Sequence, residues 1–411
     1  MLNKFFILCI NVAGINILLR IISQVKIVLL QLLSSNYSGI IIAMAVNAAG
    51  LLIYYTSVNS TENKVWAVVG QSGGVCIMVF GVILSAGAFY HLYKLYNTRS
   101  LYPPSGQMID VGGYRMHIIA DGDAKDNPAV VWVCGRHDQG LVLNHLHKIM
   151  AKETRSILFD RPGSGWSETG PFPRTVQLEA AELHTLLKCA GETGPYILVP
   201  WSFGGPLSVT FADMFPDDTA GLVLLDITSA AFPIFDRDFG MSSMCRKETL
   251  LAWLSRFGLM WNWFSYLPKE EQKKYKKLYH AIADVQDAMF ANEAEPRYYN
   301  TTRSALYDAS IRPTGTAQGR GILGDLPLFV IIPDTADKEM AVMSKKFYKT
   351  EYEQKNFIRF AIKDRTDLAE LSTTGEIHTA PKGTTHSFPF ETPEYVLNQV
   401  REMIILIKSN A

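Results

Sequence analysis

Apolar residues dominate the first hundred positions of the chain and then give way to an alternating pattern. Residues 38–57 and 65–90 contain no charged residue, and each is as long as the roughly 20 residues that a membrane-spanning helix needs. The opening segment, residues 4–33, is also apolar but is interrupted by Arg20 and Lys26. It is therefore either a third span or a helix that lies in the membrane interface.

These segments divide the chain into parts. Residues 1–97 are predicted to be an α-helical transmembrane region with two or three spans, and the polar, proline-containing residues 98–108 to be a linker. Over residues 109–411, short apolar runs alternate with helical patterns, which predicts an α/β domain with a mostly parallel sheet. Residues 227–325 are helical and aromatic without a strand signal, so they are predicted to form a lid. The apolar runs occupy residues 129–135, 155–160, 195–200, 220–226, 326–333 and 375–381, after a hairpin that turns at Gly112 and Gly113.

Composition narrows the classes of partner. The 39 basic residues equal the 39 acidic ones, so nothing favours nucleic acid as a partner. The five cysteines are far apart and form no CxxC pair, which argues against a disulfide framework or a zinc site. We expect no metal and no cofactor. Lys94 and Arg99 follow the last span, as Arg20 and Lys26 precede the second, so the positive-inside rule places the C-terminal domain in the cytoplasm.

Three motifs in the second part of the chain point to chemistry. "LVPWSFGG" (198–205) ends an apolar strand at Ser202 between small residues and a helix, which is how a sharp turn displays a nucleophile. "DRPGSGWSE" (160–168) precedes it and "TTHSFPFETPEYV" (384–396) follows it. In this order and spacing the motifs resemble the α/β-hydrolase family, specifically its lidded esterase, lipase and dehalogenase-like branch. The resemblance covers residues 106–403.

The resemblance implies a Ser–acid–His triad in that chain order. Ser202 would be the nucleophile, and His386, in the loop after the last strand, would be the general base. For the acid we favour Asp226, which ends the strand after the elbow helix. Asp337 and Asp334, which follow the next strand, remain alternatives.

The oxyanion hole would use the backbone N–H groups of Phe203 and Arg136. The sequence departs from the family at two points: Pro200 stands where the elbow usually has its first glycine, and Cys134 stands where His is usual before Gly135. A strand end tolerates proline's missing N–H and fixed φ, and the oxyanion donors are backbone groups. We therefore expect the turn to form.

The function expected from these features is a membrane-anchored serine hydrolase that cleaves carboxylic esters, including lipid-like ones. The alternative is a catalytically silent hydrolase fold that binds a lipid or a protein partner, as Pro200 and Cys134 would suggest. The expected partners are a small-molecule or lipid ester and a membrane, while the oligomeric state stays open. Part of the lid's aromatic run is expected to line an apolar pocket above the sheet; the run includes Trp253, Phe257, Trp261 and Trp263.

Overall fold

The computed structural model describes residues 20–59, 64–135, 138–227, 242–311 and 319–410. Several predicted features lie outside the described residues. These are the start of the transmembrane region, residue Arg136 of the predicted oxyanion hole, and two stretches of the predicted lid, 228–241 and 312–318.

Within the described ranges, eight strands form one sheet in the order β1-β2-β4-β3-β5-β6-β7-β8. The pairs β1–β2 and β2–β4 are antiparallel and all the other neighbours are parallel. The prediction of a mostly parallel sheet, preceded by a hairpin, is confirmed. The strands are β1 Gln107–Asp110, β2 Arg115–Asp121, β3 Ala129–Val133, β4 Ser156–Phe159, β5 Tyr196–Pro200, β6 Thr219–Leu225, β7 Leu328–Ile332 and β8 Gly375–Thr379.

Helices precede the sheet, cover its faces and form two insertions. Helices α7 to α10, between β6 and β7, form the cap that the sequence predicts as a lid. A second pair, α11 and α12, lies between β7 and β8 and was not predicted. The described helices are α1 (residues 20–34), α2 Ser38–Val58, α3 Lys64–Leu101, α4 Asn144–Met150, α5 Val176–Cys189, α6 Gly204–Met214, α7 Ser242–Arg256, α8 Lys269–Leu278, α9 Gln286–Glu293, α10 Pro296–Ile311, α11 Ala336–Phe347, α12 Glu351–Asp367, α13 Phe388–Glu391 and α14 Pro393–Asn410.

The central strands are apolar on both faces because helices cover both faces. In β5, Ile197 and Val199 pack into the core beside α4 and α14, whereas Tyr196 and Leu198 pack into the core beside α5 and α6. A strand buried on both sides reads as a continuous apolar run, which is why the β5 run was recognisable. With both faces covered, the carboxyl edge of the parallel strands is the place where loops can build a site.

Helices α2 and α3 form an antiparallel hairpin whose members are long and apolar enough to cross a membrane. Small residues let the two backbones approach closely: a Cβ at Gly50 would lie 2.9 Å from the carbonyl oxygen of Gly74. Helix α3 continues through Leu101 and β1 begins at Gln107. The predicted linker is therefore helical in its first part and confined to residues 102–106.

Buried hydrogen bonds join this hairpin to the cap. The carboxylate of Glu295 is almost fully buried and accepts hydrogen bonds from Asn36 at 2.7 Å and from Arg99 at 3.1 Å. Arg297, next to Glu295 on the cap, completes the set at 2.8 and 3.0 Å. We call these four residues the Glu295 cluster. The cluster extends through His91, whose two ring nitrogens contact Asn36 and the indole N–H of the cap residue Trp261, each at 3.1 Å.

A second set of contacts lies beside the first. The buried guanidinium of Arg256, the last residue of α7, donates to Ser38 Oγ at 3.1 Å and to the carbonyl oxygen of Leu33 at 2.8 Å. Asn300 of α10 donates to the same carbonyl at 3.0 Å. Because a buried polar group without its partner costs about 1–3 kcal/mol, these contacts fasten the cap to the N-terminal helices.

Replacement of Glu295 by Gln should therefore destabilise the protein. The change leaves two guanidinium groups beside a neutral amide, and breaking a buried ion pair costs about 3–5 kcal/mol. We expect this loss in the free energy of unfolding, measured by urea titration of the full chain in mild detergent. The matched control is Glu271→Gln, because Glu271 forms an exposed pair with Lys274 and should change stability by no more than about 0.5 kcal/mol. Equal stability of the two variants would contradict the role given to the Glu295 cluster.

Candidate active site

Ser202 lies on the tight turn between β5 and α6, with a φ of +56°. The turn is tight because α6 starts directly against the sheet: a Cβ at Gly204 would lie 2.5 Å from the carbonyl oxygen of Val133, and one at Gly205 would overlap Ile227. Glycine is needed at both positions. A left-handed backbone at a non-glycine residue stores strain of about 1–3 kcal/mol and is found mainly at functional sites.

Pro200 does not prevent this turn. It is the last residue of β5, in register with Val133 of β3. The next residue, Trp201, donates its backbone N–H to the carbonyl oxygen of Val133 at 2.9 Å, and Ser202 donates to that of Leu225 at 3.2 Å. The backbone ladder therefore resumes immediately after the proline.

Asp226 and His386 meet at the same edge of the sheet. Asp226 follows β6, and its carboxylate oxygen Oδ2 lies 2.6 Å from His386 Nδ1. The other oxygen, Oδ1, accepts a hydrogen bond of 2.7 Å from Nε of Arg365, a buried residue of α12. Burial alone would raise the pKa of Asp226, but the guanidinium of Arg365 and the imidazole of His386 outweigh it and lower the pKa to about 2. Asp226 is thus ionised at every pH at which the protein would work.

Two neighbours hold His386 in place. Trp201 donates its indole N–H to the carbonyl oxygen of His386 at 3.0 Å, and its ring stacks on the imidazole with centroids 5.2 Å apart. Glu339 of α11 accepts the backbone N–H of His386 at 3.1 Å. Burial lowers the pKa of His386, but the hydrogen bond and charge of Asp226, together with the charge of Glu339, outweigh it and raise the pKa above its usual value. The guanidinium of Arg365 acts in the opposite direction.

The other candidate carboxylates lie elsewhere. Asp334 accepts the backbone N–H of Gly383 at 2.8 Å, and Asp337 is exposed in the first turn of α11. Among the described residues, neither carboxylate hydrogen-bonds to His386, and no hydrogen bond joins Ser202 to His386. Asp226 is the candidate acid that the fold brings to the histidine.

Two described residues flank the serine turn: Phe203 follows Ser202 in the chain, and Cys134 follows the end of β3. Phe203 lies at the N-cap of α6, whereas Arg136 lies outside the described residues. Cys134 donates its Sγ hydrogen to the carbonyl oxygen of Asp138 at 2.9 Å. Burial raises the pKa of the Cys134 thiol to about 12, so this cysteine stays protonated and is a poor nucleophile.

Both helical insertions cover the turn. Phe203 belongs to one buried apolar cluster with Leu306 of α10, Met340 of α11 and Phe357 of α12. The first turn of α7 packs against the same cluster through Met244 and Cys245. The cap and the second insertion thus share an apolar cluster with the residue directly after Ser202.

Only part of the cap's aromatic run was expected to face the sheet edge, and three of its four named residues lie elsewhere. A Cβ on Gly87 of α3 would meet Phe257, Trp261 bonds to His91 of the same helix, and Trp253 is 43% exposed. These three therefore face the N-terminal helices or solvent. Trp263 alone joins a series of ring contacts that leads to Trp201; the intervening rings are Tyr275, Tyr279 and Phe390.

Sequence reasoning missed Arg365 and Glu339, which determine the charge around the Asp226–His386 pair. Both come from the unpredicted helices α11 and α12. A signal for α12 was present, because Thr350 and Glu353 form a capping box at its start. No local pattern indicates that Arg365, in the last turn of that helix, reaches Asp226.

Comparison with known proteins agrees with this architecture. The family described as alpha/beta hydrolase fold matches residues 129–246. A thermophilic esterase from Thermogutta terrifontis superimposes with a TM-score of 0.51 at 18% identity, covering 73% of this chain and 97% of that one. A probable hydrolytic enzyme from Pseudomonas aeruginosa gives 0.53 at 14% identity, covering 71% and 89%.

Relatives by sequence match only in part. The uncharacterized protein YbdG of Bacillus subtilis is 25% identical over 154 residues, which are 37% of this chain and 47% of that protein. An uncharacterized vacuolar membrane protein of Saccharomyces cerevisiae is 29% identical over 133 residues, or 28% and 20% of the two chains. The matches span less than half the length of these relatives. The chain has the α/β-hydrolase fold, and its structural neighbours are hydrolytic enzymes.

The charges around His386 predict opposite effects of two substitutions on its pKa. Arg365→Gln removes a cation that disfavours the imidazolium, so the pKa of His386 should rise. Glu339→Gln removes an anion that favours it, so the pKa should fall. Histidine-selective NMR titration of the full chain in detergent measures both. The signal of His184, whose partner is Asp218, is the internal control and should not move; shifts of His386 in the same direction would contradict the assignment.

Proposed function

We propose that the chain is a membrane-anchored serine hydrolase that cleaves carboxylic esters with Ser202, Asp226 and His386 as its triad. The main support is the 2.6 Å hydrogen bond between Asp226 and His386, at the sheet edge where the strained turn presents Ser202. Ser202, Asp226 and His386 follow one another in the nucleophile–acid–base order of the α/β-hydrolase fold. Neither a metal nor a cofactor enters the proposal.

The proposed reaction begins with proton transfer from Ser202 Oγ to Nε2 of His386 as the serine oxygen attacks the ester carbonyl carbon. The imidazolium is stabilised by the carboxylate of Asp226, whose low pKa keeps it ionised. The resulting oxyanion would accept hydrogen bonds from the backbone N–H groups of Phe203 and Arg136. When the intermediate collapses, the alcohol leaves with the proton from His386, and the acyl group stays on Ser202. Water, deprotonated by His386, then releases the acid.

Arg365 affects the charge of both Asp226 and His386 before any reaction begins. Its guanidinium offsets part of the Asp226 charge and disfavours the imidazolium of His386. It thereby opposes the effects of Asp226 and Glu339, which raise the pKa of the proposed base. The 2.6 Å contact that brings a buried acid to the base favours the hydrolase over the silent, ligand-binding alternative.

The anchor in this proposal is the hairpin of α2 and α3. Because the cap contacts the start of α2 and the second half of α3, a hairpin that crosses the bilayer twice would leave the hydrolase domain on one side of it. The basic residues Lys94 and Arg99 at that end favour the cytoplasmic side. The proposed protein is a multi-pass membrane protein with a small-molecule or lipid ester as substrate.

A fluorophosphonate probe tests the chemistry directly, because it phosphonylates only a serine activated by its base. We expect the full chain to be labelled and to hydrolyse short p-nitrophenyl esters. Ser202→Ala should lose the label and lower kcat by several powers of ten. Ser208→Ala is the matched control, since Ser208 is buried in α6 and only bonds to the carbonyl oxygen of Gly204; it should keep both. An unlabelled but folded wild-type chain would favour the silent alternative.

Substitution of the acid tests the triad separately. Asp226→Asn should lower kcat by about 10⁴, because the amide leaves His386 in the wrong tautomer. Asp337→Asn and Asp334→Asn should change kcat by less than about twofold. The measurement is steady-state hydrolysis of p-nitrophenyl butyrate at pH 8. If Asp337→Asn or Asp334→Asn proved the more damaging change, the acid would come from the loop after β7.

A further inference from the structure

Helix α7 connects the proposed nucleophile to the N-terminal hairpin. Its first turn packs, through Met244 and Cys245, against the apolar cluster that contains Phe203. Its last residue, Arg256, and the following Phe257 lie against α2 and α3: a Cβ at Gly39 would overlap the carbonyl oxygen of Arg256, and one at Gly87 would lie 2.8 Å from that of Phe257. The 15 residues of α7 span roughly 22 Å.

The lengths of the helices indicate where this contact lies relative to lipid. Helix α2 has 21 residues, or roughly 31 Å, which matches the hydrocarbon core of about 30 Å. Its first turn, which contains Gly39, is therefore at the core's edge, and Ala88 of α3 lies beside it. Past that level, α3 exposes Tyr90, Tyr93 and Tyr96, the residue type that is enriched at the membrane–water interface.

The cap exposes apolar side chains next to this level. Leu250 is 58%, Trp253 43% and Leu259 51% exposed, and we call these three residues the cap edge. Trp253 stacks on Phe257, and Gly258, which precedes Leu259, packs against the ring of Tyr90. The cap edge is thus continuous with the exposed apolar surface of the hairpin. One turn before Leu250, exposed Lys247 adds the basic residue typical of interfacial helices.

We propose that the cap edge inserts into the interface of the same bilayer that the hairpin crosses, so that the substrates are esters that reside in that bilayer. The substrate class rests on the chemistry proposed above, whereas the insertion rests only on the proposed membrane anchor. Lipid is the proposed occupant of this surface because the cap edge is fastened to the hairpin. The contact lies at the level where α2 and α3 would leave the hydrocarbon core of the bilayer. The buried contacts of Arg256 and the Glu295 cluster keep the cap there. An ester bond would then reach Ser202 along α7 while its acyl chain stays in the bilayer.

Two substrates separate the insertion from the chemistry. The full chain, reconstituted into phosphatidylcholine vesicles, is assayed with p-nitrophenyl butyrate in water and with p-nitrophenyl palmitate dissolved in the bilayer. We expect Leu250→Asp to lower kcat/KM for the palmitate about tenfold and to leave that for the butyrate within twofold. Leu259→Asp should act in the same way. The matched control is Ile405→Asp, on α14 and 67% exposed, which should change neither value. Full activity of both cap-edge variants on the palmitate would overturn the proposal.

A fluorescence measurement tests the insertion without catalysis. In vesicles with brominated acyl chains, the emission contributed by Trp253, taken as the difference between wild type and Trp253→Phe, should be quenched. The same emission should be protected from iodide in the water. Accessibility to iodide without quenching by bromine would mean that the cap edge faces water or a protein, and would overturn the proposal. If the wild type hydrolyses neither ester but Trp253 is quenched, the hydrolase proposal fails and the insertion stands.

Discussion

A single buried carboxylate organises the carboxyl edge of the sheet. Asp226 has no contact with water to offset its charge, so the fold must provide partners for both of its oxygens, and it does so from two distant segments. His386 comes from the loop after β8, and Arg365 comes from the end of α12. The need to satisfy this charge fixes where α12 packs and how the histidine loop runs. Glu339 and Trp201 then hold the same loop from its other sides.

This arrangement explains which features could be predicted from the sequence. The strands were recognisable because burial on both faces makes them short continuous apolar runs, as in β5. The candidates Ser202, Asp226 and His386 could be named because each lies at a fixed place relative to a strand: on the turn after it, at its end, or in the loop beyond it. Chain order did not decide between Asp226 and its alternatives Asp337 and Asp334. Such positions depend on local chain order, which a sequence displays directly.

The missed features depend on contacts between distant residues. Arg365 lies 139 positions from Asp226, and its helix looks like an ordinary charged surface helix until the fold buries one side of it. Which members of the cap's aromatic run face the sheet edge depends on distant contacts for the same reason. The rings need an apolar or hydrogen-bonding surface, and the N-terminal hairpin supplies that surface to Phe257 and Trp261. No local pattern in the chain distinguishes that surface from the sheet edge.

The Glu295 cluster also has a consequence for the order in which the molecule can be made. Arg99 precedes its partner Glu295 by 196 positions, an interval of roughly 10–40 s at the usual rates of protein synthesis. Throughout that time Asn36, His91 and Arg99 lack their partners Glu295 and Trp261, so other groups must solvate them. Synthesis of the cap, which precedes β7 and β8 in the chain, is therefore the step that completes the contacts of the N-terminal helices.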